Sequence, residues 1–164
     1  MNKKGSSVTD VFLIIIVLFA FGMVSLISYV MFTEYNDNYQ ARTGVSTEAK
    51  AMIQENKDDF VGVTDGLTLF IVVGLTIALI AGATMVNTHP AFFIVALIVT
   101  AIAIFFGAVY SNAYETFVAD PTVAAVEGEY TILPTIMGNL PIIIAVIAFL
   151  VAVTLYSRSQ GGEL

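Results

Sequence analysis

The sequence lacks cysteine entirely, and charged residues occupy only 12% of its 164 positions. Without cysteine there is no disulfide framework and no thiol chemistry. Hydrophobic residues make up 58% of the chain and the mean hydropathy is +0.90, so a soluble domain of this length would have too little charge to cover its surface. These shortages exclude a disulfide-stabilised secreted domain and disfavour a soluble globular one.

Charge is also missing from four long apolar blocks, none of which contains Asp, Glu, Lys, Arg or His. The blocks cover residues 11–32, 67–86, 91–110 and 141–156. A helical crossing of a bilayer needs about 20 apolar residues. The fourth block is short and gains length from residues 132–140 or from tilt. The runs are continuous rather than alternating, so they predict helices and an all-α, polytopic integral membrane protein.

These blocks predict a single membrane domain, 1–164, folded as two helical hairpins. We expect spans at about 10–33, 67–86, 90–111 and 139–157, outer loops at 34–66 and 112–138, and an inner turn at 87–89. Lys3 and Lys4 precede the first span and Arg158 follows the last. Basic residues concentrate on the cytoplasmic side of membrane helices, so both termini are expected on the cytoplasmic or interior side.

The N-terminal segment is interpreted as a retained signal anchor. Its apolar run is about twice the usual length of a cleaved signal. A pilin-type leader, cut after Gly5 with Asp10 five residues on, is the alternative. Three later membrane crossings favour the anchor, and processing stays open.

Both outer loops carry apolar residues at helical spacing and predict short amphipathic helices. In the first loop the stripe includes Ala49, Met52 and Phe60, and in the second Asp120-Pro121 is a typical helix start. Such helices lie on the outer bilayer surface or cap the bundle. The candidates for contact with a partner are Met52, Ile53, Phe60, Tyr114, Phe117 and Tyr130.

Small residues recur at four-residue spacing within the spans, which lets membrane helices approach closely. They predict packing within one bundle or contact between protomers. The candidates are Gly74, Ala78, Gly82, Ala103, Gly107, Ala148 and Ala152.

Residues that could carry chemistry are scarce. His89 is the only histidine, and a metal site normally needs three or four ligands. The acidic loop residues, including Asp58, Asp59, Asp65, Glu127 and Glu129, lack a calcium-binding pattern and are expected to be solvated. No nucleophile–base pair is evident, and no Asp, Glu, Lys, Arg or His falls within the four apolar blocks. We therefore expect no enzyme activity, cofactor, metal or small-molecule substrate, and the net charge of −7 argues against nucleic acid.

Several sequence blocks resemble those of small four-span membrane proteins from viral and environmental genomes. They are Lys3-Lys4-Gly5 with Asp10-Val11-Phe12, Thr88-His89-Pro90-Ala91-Phe92-Phe93, Ser111-Asn112-Ala113-Tyr114-Glu115 and Gly138-Asn139-Leu140-Pro141. Some of those proteins are similar to membrane components of tailless icosahedral viruses that carry a lipid bilayer under a protein shell. The resemblance implies a structural role in an internal virion membrane, with capsid proteins as partners, and transfers no site residues.

Three functions remain open at this point. The first is a structural or assembly protein that works as an oligomer, or with other membrane proteins, in a cell membrane or an internal virion membrane. The second is a holin-like pore-former or small channel, and the third is an accessory subunit of a membrane enzyme or transporter. Uncharged spans and small-residue faces favour the first.

Overall fold

A computed structural model describes residues 6–85 and 90–160, with side chains described for residues 15–84 and 94–157. These residues form six helices and no strand. The helices are α1 (Ser6–Gln40), α2 (Thr47–Met85), α3 (Pro90–Val118), α4 (Pro121–Glu127), α5 (Ile132–Gly138) and α6 (Leu140–Gln160). The predicted inner turn 87–89, with His89, and the basic residues Lys3 and Lys4 lie outside the described residues.

The four long helices pack as a closed ring. α1 lies against α2 and α3, and α6 lies against α2 and α3. All four are long and apolar enough to cross a bilayer, over Ile15–Gln40, Thr47–Thr84, Ile94–Val118 and Leu140–Ser157. The prediction of an all-α polytopic membrane fold with four spanning helices is confirmed.

The segment 34–66 differs from the predicted outer loop, because it is helical except at residues 41–46. α1 has 35 residues and α2 has 39, lengths of about 52 and 58 Å at 1.5 Å per residue, well beyond an apolar bilayer core of about 30 Å. The amphipathic stripe of 47–61 continues directly into the second span, and no proline interrupts it. The first hairpin therefore projects beyond the apolar region as a two-helix stalk, here defined as residues 33–62.

Polar side chains set the register of the stalk. The Asn36 side chain is buried between the helices and donates from Nδ2 to Gln54 Oε1 at 3.0 Å. Gln40 Nε2 donates to the Lys50 carbonyl at 2.9 Å, and Lys50 Nζ donates to the Gln40 carbonyl at 2.5 Å. The turn between the helices includes Gly44 at φ 89°, a left-handed conformation that favours glycine.

The second connection contains short helices, as predicted, but residues 132–138 form the separate helix α5 and do not lengthen the fourth span, which begins with α6 at Leu140. Asp120 is the N-cap of α4: its side chain accepts a hydrogen bond from Thr122 N at 2.8 Å, and Pro121 is the first helical residue. α5 packs against α1, α2 and α3. The end of the bundle that carries the stalk, α4 and α5 is called the hairpin end below.

The main apolar core lies at the hairpin end. Its members come from α1, α3, α4, α5 and the start of α6, and they include Leu26, Tyr29, Tyr114, Leu133 and Met137. At Gly22 of α1, an added Cβ would lie 2.9 Å from Met137 Cε and 3.3 Å from Leu133 Cδ1. The glycine leaves room for the Met137 and Leu133 side chains of α5 against α1, and both side chains are fully buried, so α5 is set into the bundle rather than resting on its surface.

Candidate functional site

Asp65 of α2 joins the two hairpins at the hairpin end. Its carboxylate accepts three backbone hydrogen bonds at the start of α5. Thr131 N and Ile132 N donate to Oδ2 at 2.8 and 3.0 Å, and Leu133 N donates to Oδ1 at 2.8 Å. Asp65 is only 8% exposed. A buried carboxylate is stable when its oxygens receive hydrogen bonds, and here backbone amides supply them.

The Asp65 carboxylate takes the place of an N-cap side chain within α5 itself. Thr131 stands at the N-cap of α5 but makes no side-chain capping hydrogen bond. The free amides of the first turn need acceptors, and Asp65 supplies them from a helix 66 residues earlier in the chain. One carboxylate therefore fixes α5 to α2.

Two tyrosine–glutamate pairs hold the segment before α5. The Tyr29 hydroxyl of α1 donates to Glu129 Oε2, and the Tyr114 hydroxyl of α3 donates to Glu127 Oε1 at 3.2 Å. Tyr29 is 0% and Tyr114 2% exposed. Since the two pairs come from different helices, the connection between α4 and α5 is tied to both hairpins.

Tyr130 lies between these pairs and is also buried. Its hydroxyl has no hydrogen-bond partner. Burial raises the pKa of that hydroxyl above its ordinary value, and the charges of Asp65 and Glu129 raise it further. The nearby Thr64 side chain lowers the pKa of the Tyr130 hydroxyl. The Thr64 and Tyr130 side chains nevertheless do not form a hydrogen bond with each other. Tyr130 is therefore neutral and acts through packing.

Aromatic rings link this buried region to the stalk. The Tyr29 ring stacks on Phe60 with centroids 5.6 Å apart and meets Tyr130 edge-on at 5.4 Å. Phe60 also contacts Phe32 at 6.1 Å. Lys57 Nζ lies 5.9 Å from the centre of the Tyr29 ring. We call Asp65, Glu127, Glu129 and the rings of Tyr29, Tyr114 and Tyr130 the cap cluster.

The predicted partner-contact residues separate into two groups. Tyr114 and Tyr130 are buried in the cap cluster and present no surface to a partner, because they hold α3 and the α4–α5 connection together. Phe60 and Phe117 are partly buried against the same core. Met52 is 64% exposed on the stalk, and Ile53 beside it is half-buried. Met52 is the only one of the six with a largely exposed side chain.

The predicted small-residue positions also separate. Ala103 is 1% exposed, and a Cβ on Gly107 would lie 2.5 Å from Ile144 Cδ1 and 3.3 Å from Pro141 Cα. Gly107 thus allows α3 to pack closely against α6, and Ala103 is buried on the same helix. Gly74, Ala78 and Gly82 are exposed, and among the described residues no other helix or side chain comes within 4 Å of a Cβ added at Gly74 or Gly82. The last two candidates, Ala148 and Ala152, are half-buried.

Sequence reasoning missed the role of Asp65, since the prediction that the loop carboxylates are solvated is wrong for this residue. The available signal was its position directly before an apolar block. Gly22 of α1 is the point at which α5 makes its close approach. Among the described residues, no group of three or more His, Cys, Asp or Glu side chains is placed to hold a metal ion.

The fold and the four apolar helices define an all-α, multi-pass integral membrane protein. No protein-family model, curated protein or solved structure matches the chain.

Proposed function

We propose that the protein is a non-enzymatic structural or assembly component of a membrane, acting as an oligomer or within a larger complex. In this role its membrane helices pack and its hairpin end presents a rigid surface to other chains. The observation that carries the proposal is the Asp65 carboxylate fixed to three amides of α5, which holds both hairpins in one arrangement.

The hydroxyl groups of the membrane helices support a packing role. Thr68, Thr76 and Thr154 donate to the carbonyl four residues earlier in their own helix, at 2.7–2.8 Å. Thr84 donates to the Ala81 carbonyl at 2.7 Å. A hydroxyl that is satisfied within its own helix offers little to a polar substrate or a water-filled lumen. This favours helix packing over transport or pore formation.

The charge distribution supports recognition at the hairpin end. Eleven of the 13 acidic residues lie between Glu34 and Glu129, together with only three of the six basic residues. A surface with such an excess favours basic partners and repels acidic ones. Together with the resemblance to viral membrane proteins, this leads us to propose an internal virion membrane as the location, cytoplasmic or interior termini, and capsid proteins as the partners.

A photo-crosslinking residue in place of Met52 tests the proposal in the full chain in its native membrane. We expect discrete protein adducts, because this side chain stands free on the stalk. The matched control is the same residue in place of Phe70, which is 74% exposed on the apolar part of α2 and should give mainly lipid adducts. Absence of protein adducts at position 52, together with dye leakage from vesicles containing the chain, would favour a pore-former instead.

The proposed location in an internal virion membrane is tested by identifying the membrane proteins of purified virions. The chain should be found among them in stoichiometric amounts, and its absence from intact virions contradicts that location.

A further inference from the structure

A groove at the hairpin end lies between three helices. Its walls are Ile27, Val30 and Met31 of α1, the end of α3 at Thr116 and Phe117, and the start of α4 at Asp120 and Val123. The groove has a volume of about 430 Å³, which is within the range of small-molecule sites. The groove is open to the outside and large enough for part of a lipid.

The depth of the groove matches the boundary between acyl chains and headgroups. Ile27 and Met31 belong to the last turns of the apolar block 11–32, and they are 45% and 66% exposed. On the opposite wall, Phe117 lies two turns beyond the apolar block 91–110, and Asp120 follows it. The lining thus changes from apolar to acidic along one groove. The apolar end suits an acyl chain, and the acidic end suits the cationic part of a headgroup.

The charge at the polar end of the groove is of one sign. One oxygen of Asp120 accepts from Thr122 N, and a carboxylate has further lone pairs for a second donor. Glu34 continues the row of Ile27 and Met31 by helical register and is exposed. No lining residue is basic. This end disfavours an anionic headgroup and favours one that carries an ammonium group.

We propose that the groove binds one phospholipid of the surrounding leaflet whose headgroup bears a primary ammonium, such as phosphatidylethanolamine. The acyl chain lies along Ile27 and Met31, and the ammonium donates to the Asp120 carboxylate. A primary ammonium has three hydrogen-bond donors and a choline headgroup has none, so the preference is for ethanolamine over choline as well as over glycerol.

Native mass spectrometry of the full chain, released from nanodiscs of defined composition, tests this site. From an equal mixture of phosphatidylethanolamine, phosphatidylcholine and phosphatidylglycerol, we expect one phosphatidylethanolamine to be retained preferentially. Asp120→Asn should lower that preference about two- to fivefold, the range of a partly exposed ion pair. Asparagine is as good an N-cap as aspartate, so α4 should keep its start.

Two further variants separate the groove from general lipid contact. Met31→Trp places a larger ring in the groove and should remove the retained lipid. Phe149→Trp makes a comparable change in a second apolar groove between α3 and α6, which has no charged residue, and should leave retention unchanged. Asp59→Asn on the stalk is the control for charge.

Three results would overturn the proposal. The first is equal retention of the three lipids by the natural chain, and the second is unchanged lipid selectivity in Asp120→Asn. The third is a Met31→Trp variant that changes the number of chains per particle and leaves the bound lipid unchanged. Lipid retention is read independently of protein adducts at Met52, so either proposal can fail without the other.

Discussion

At the scale of single residues, Asp65 links α2 to the start of α5 through three hydrogen bonds. Its two oxygens accept three amide hydrogen bonds while the side chain is 8% exposed. Hydrogen bonds to a charged group contribute about 1.5–3 kcal/mol each, more than those between neutral groups. Asp65 is therefore expected to contribute several kcal/mol to the attachment of α5 to α2.

We expect Asp65→Asn to lower the free energy of unfolding by about 2–4 kcal/mol, because the new NH₂ group faces amide donors and one acceptor oxygen is lost. Denaturant-induced unfolding of the full chain in detergent, followed by circular dichroism, measures this change. The isosteric control is Asp59→Asn on the exposed face of the stalk, which should stay within about 0.5 kcal/mol of the natural chain. Equal stability of the two variants would show that Asp65 does not anchor α5.

At the scale of helices, two close contacts at glycine residues determine how the helices pack. α3 meets α6 where Gly107 allows Pro141 and Ile144 to approach, and α1 meets α5 at Gly22. Membrane helices associate through such contacts because lipid offers them no hydrophobic drive. In the stripe Gly74, Ala78 and Gly82, all three residues are exposed, and the two glycines meet no other helix in the part of the chain that the structure describes.

A pair of glycine substitutions tests this difference between helices. Gly107→Ala should destabilise the fold by about 1–3 kcal/mol, because its Cβ would meet Ile144 Cδ1 at 2.5 Å and the Pro141 backbone at 3.3 Å. Gly74→Ala meets nothing within 4 Å and should be neutral or stabilise α2 by up to about 1 kcal/mol. Thermal unfolding in the same detergent compares them.

A destabilised Gly74→Ala variant would contradict this expectation for the isolated chain. If it also has fewer chains per particle, the exposed stripe is a contact between protomers, which the sequence prediction left open.

At the scale of the whole molecule, the fold separates two regions with different tasks. The apolar blocks of the four long helices contain no charged residue, whereas the hairpin end contains most of the acidic residues and the cap cluster, in which Asp65 and the three tyrosines are buried. The orientation across the bilayer is a prediction from Lys3, Lys4 and Arg158, which flank the first and last spans in the sequence.

Single-cysteine labelling tests that orientation cleanly, since the chain contains no cysteine of its own. Thr43→Cys lies in the exposed turn of the stalk and should react with a membrane-impermeant maleimide added outside intact cells. Ser157→Cys, exposed at the end of α6, should react only after the membrane is opened. The reverse pattern would place the hairpin end in the cytoplasm.

The sequence alone determined the class of fold. A helix satisfies its backbone polar groups within the bilayer, and continuous apolar runs lack the alternation of a membrane β-barrel, so uncharged runs of this length predict helical crossings. The second connection could be predicted in the same way, because Asp120-Pro121 is a local signal for the start of α4.

Only the tertiary structure decided what the loop residues do. The sequence before Asp65 is rich in acidic residues and is typical of a solvated loop. The hydrogen bonds that Asp65 accepts come from amides 66–68 residues further along the chain. Tyr114 and Tyr130 likewise became core residues because two hairpins close around them. The four uncharged spans were determined by local composition, whereas the burial of Asp65 depends on contacts between distant segments, which no local pattern encodes.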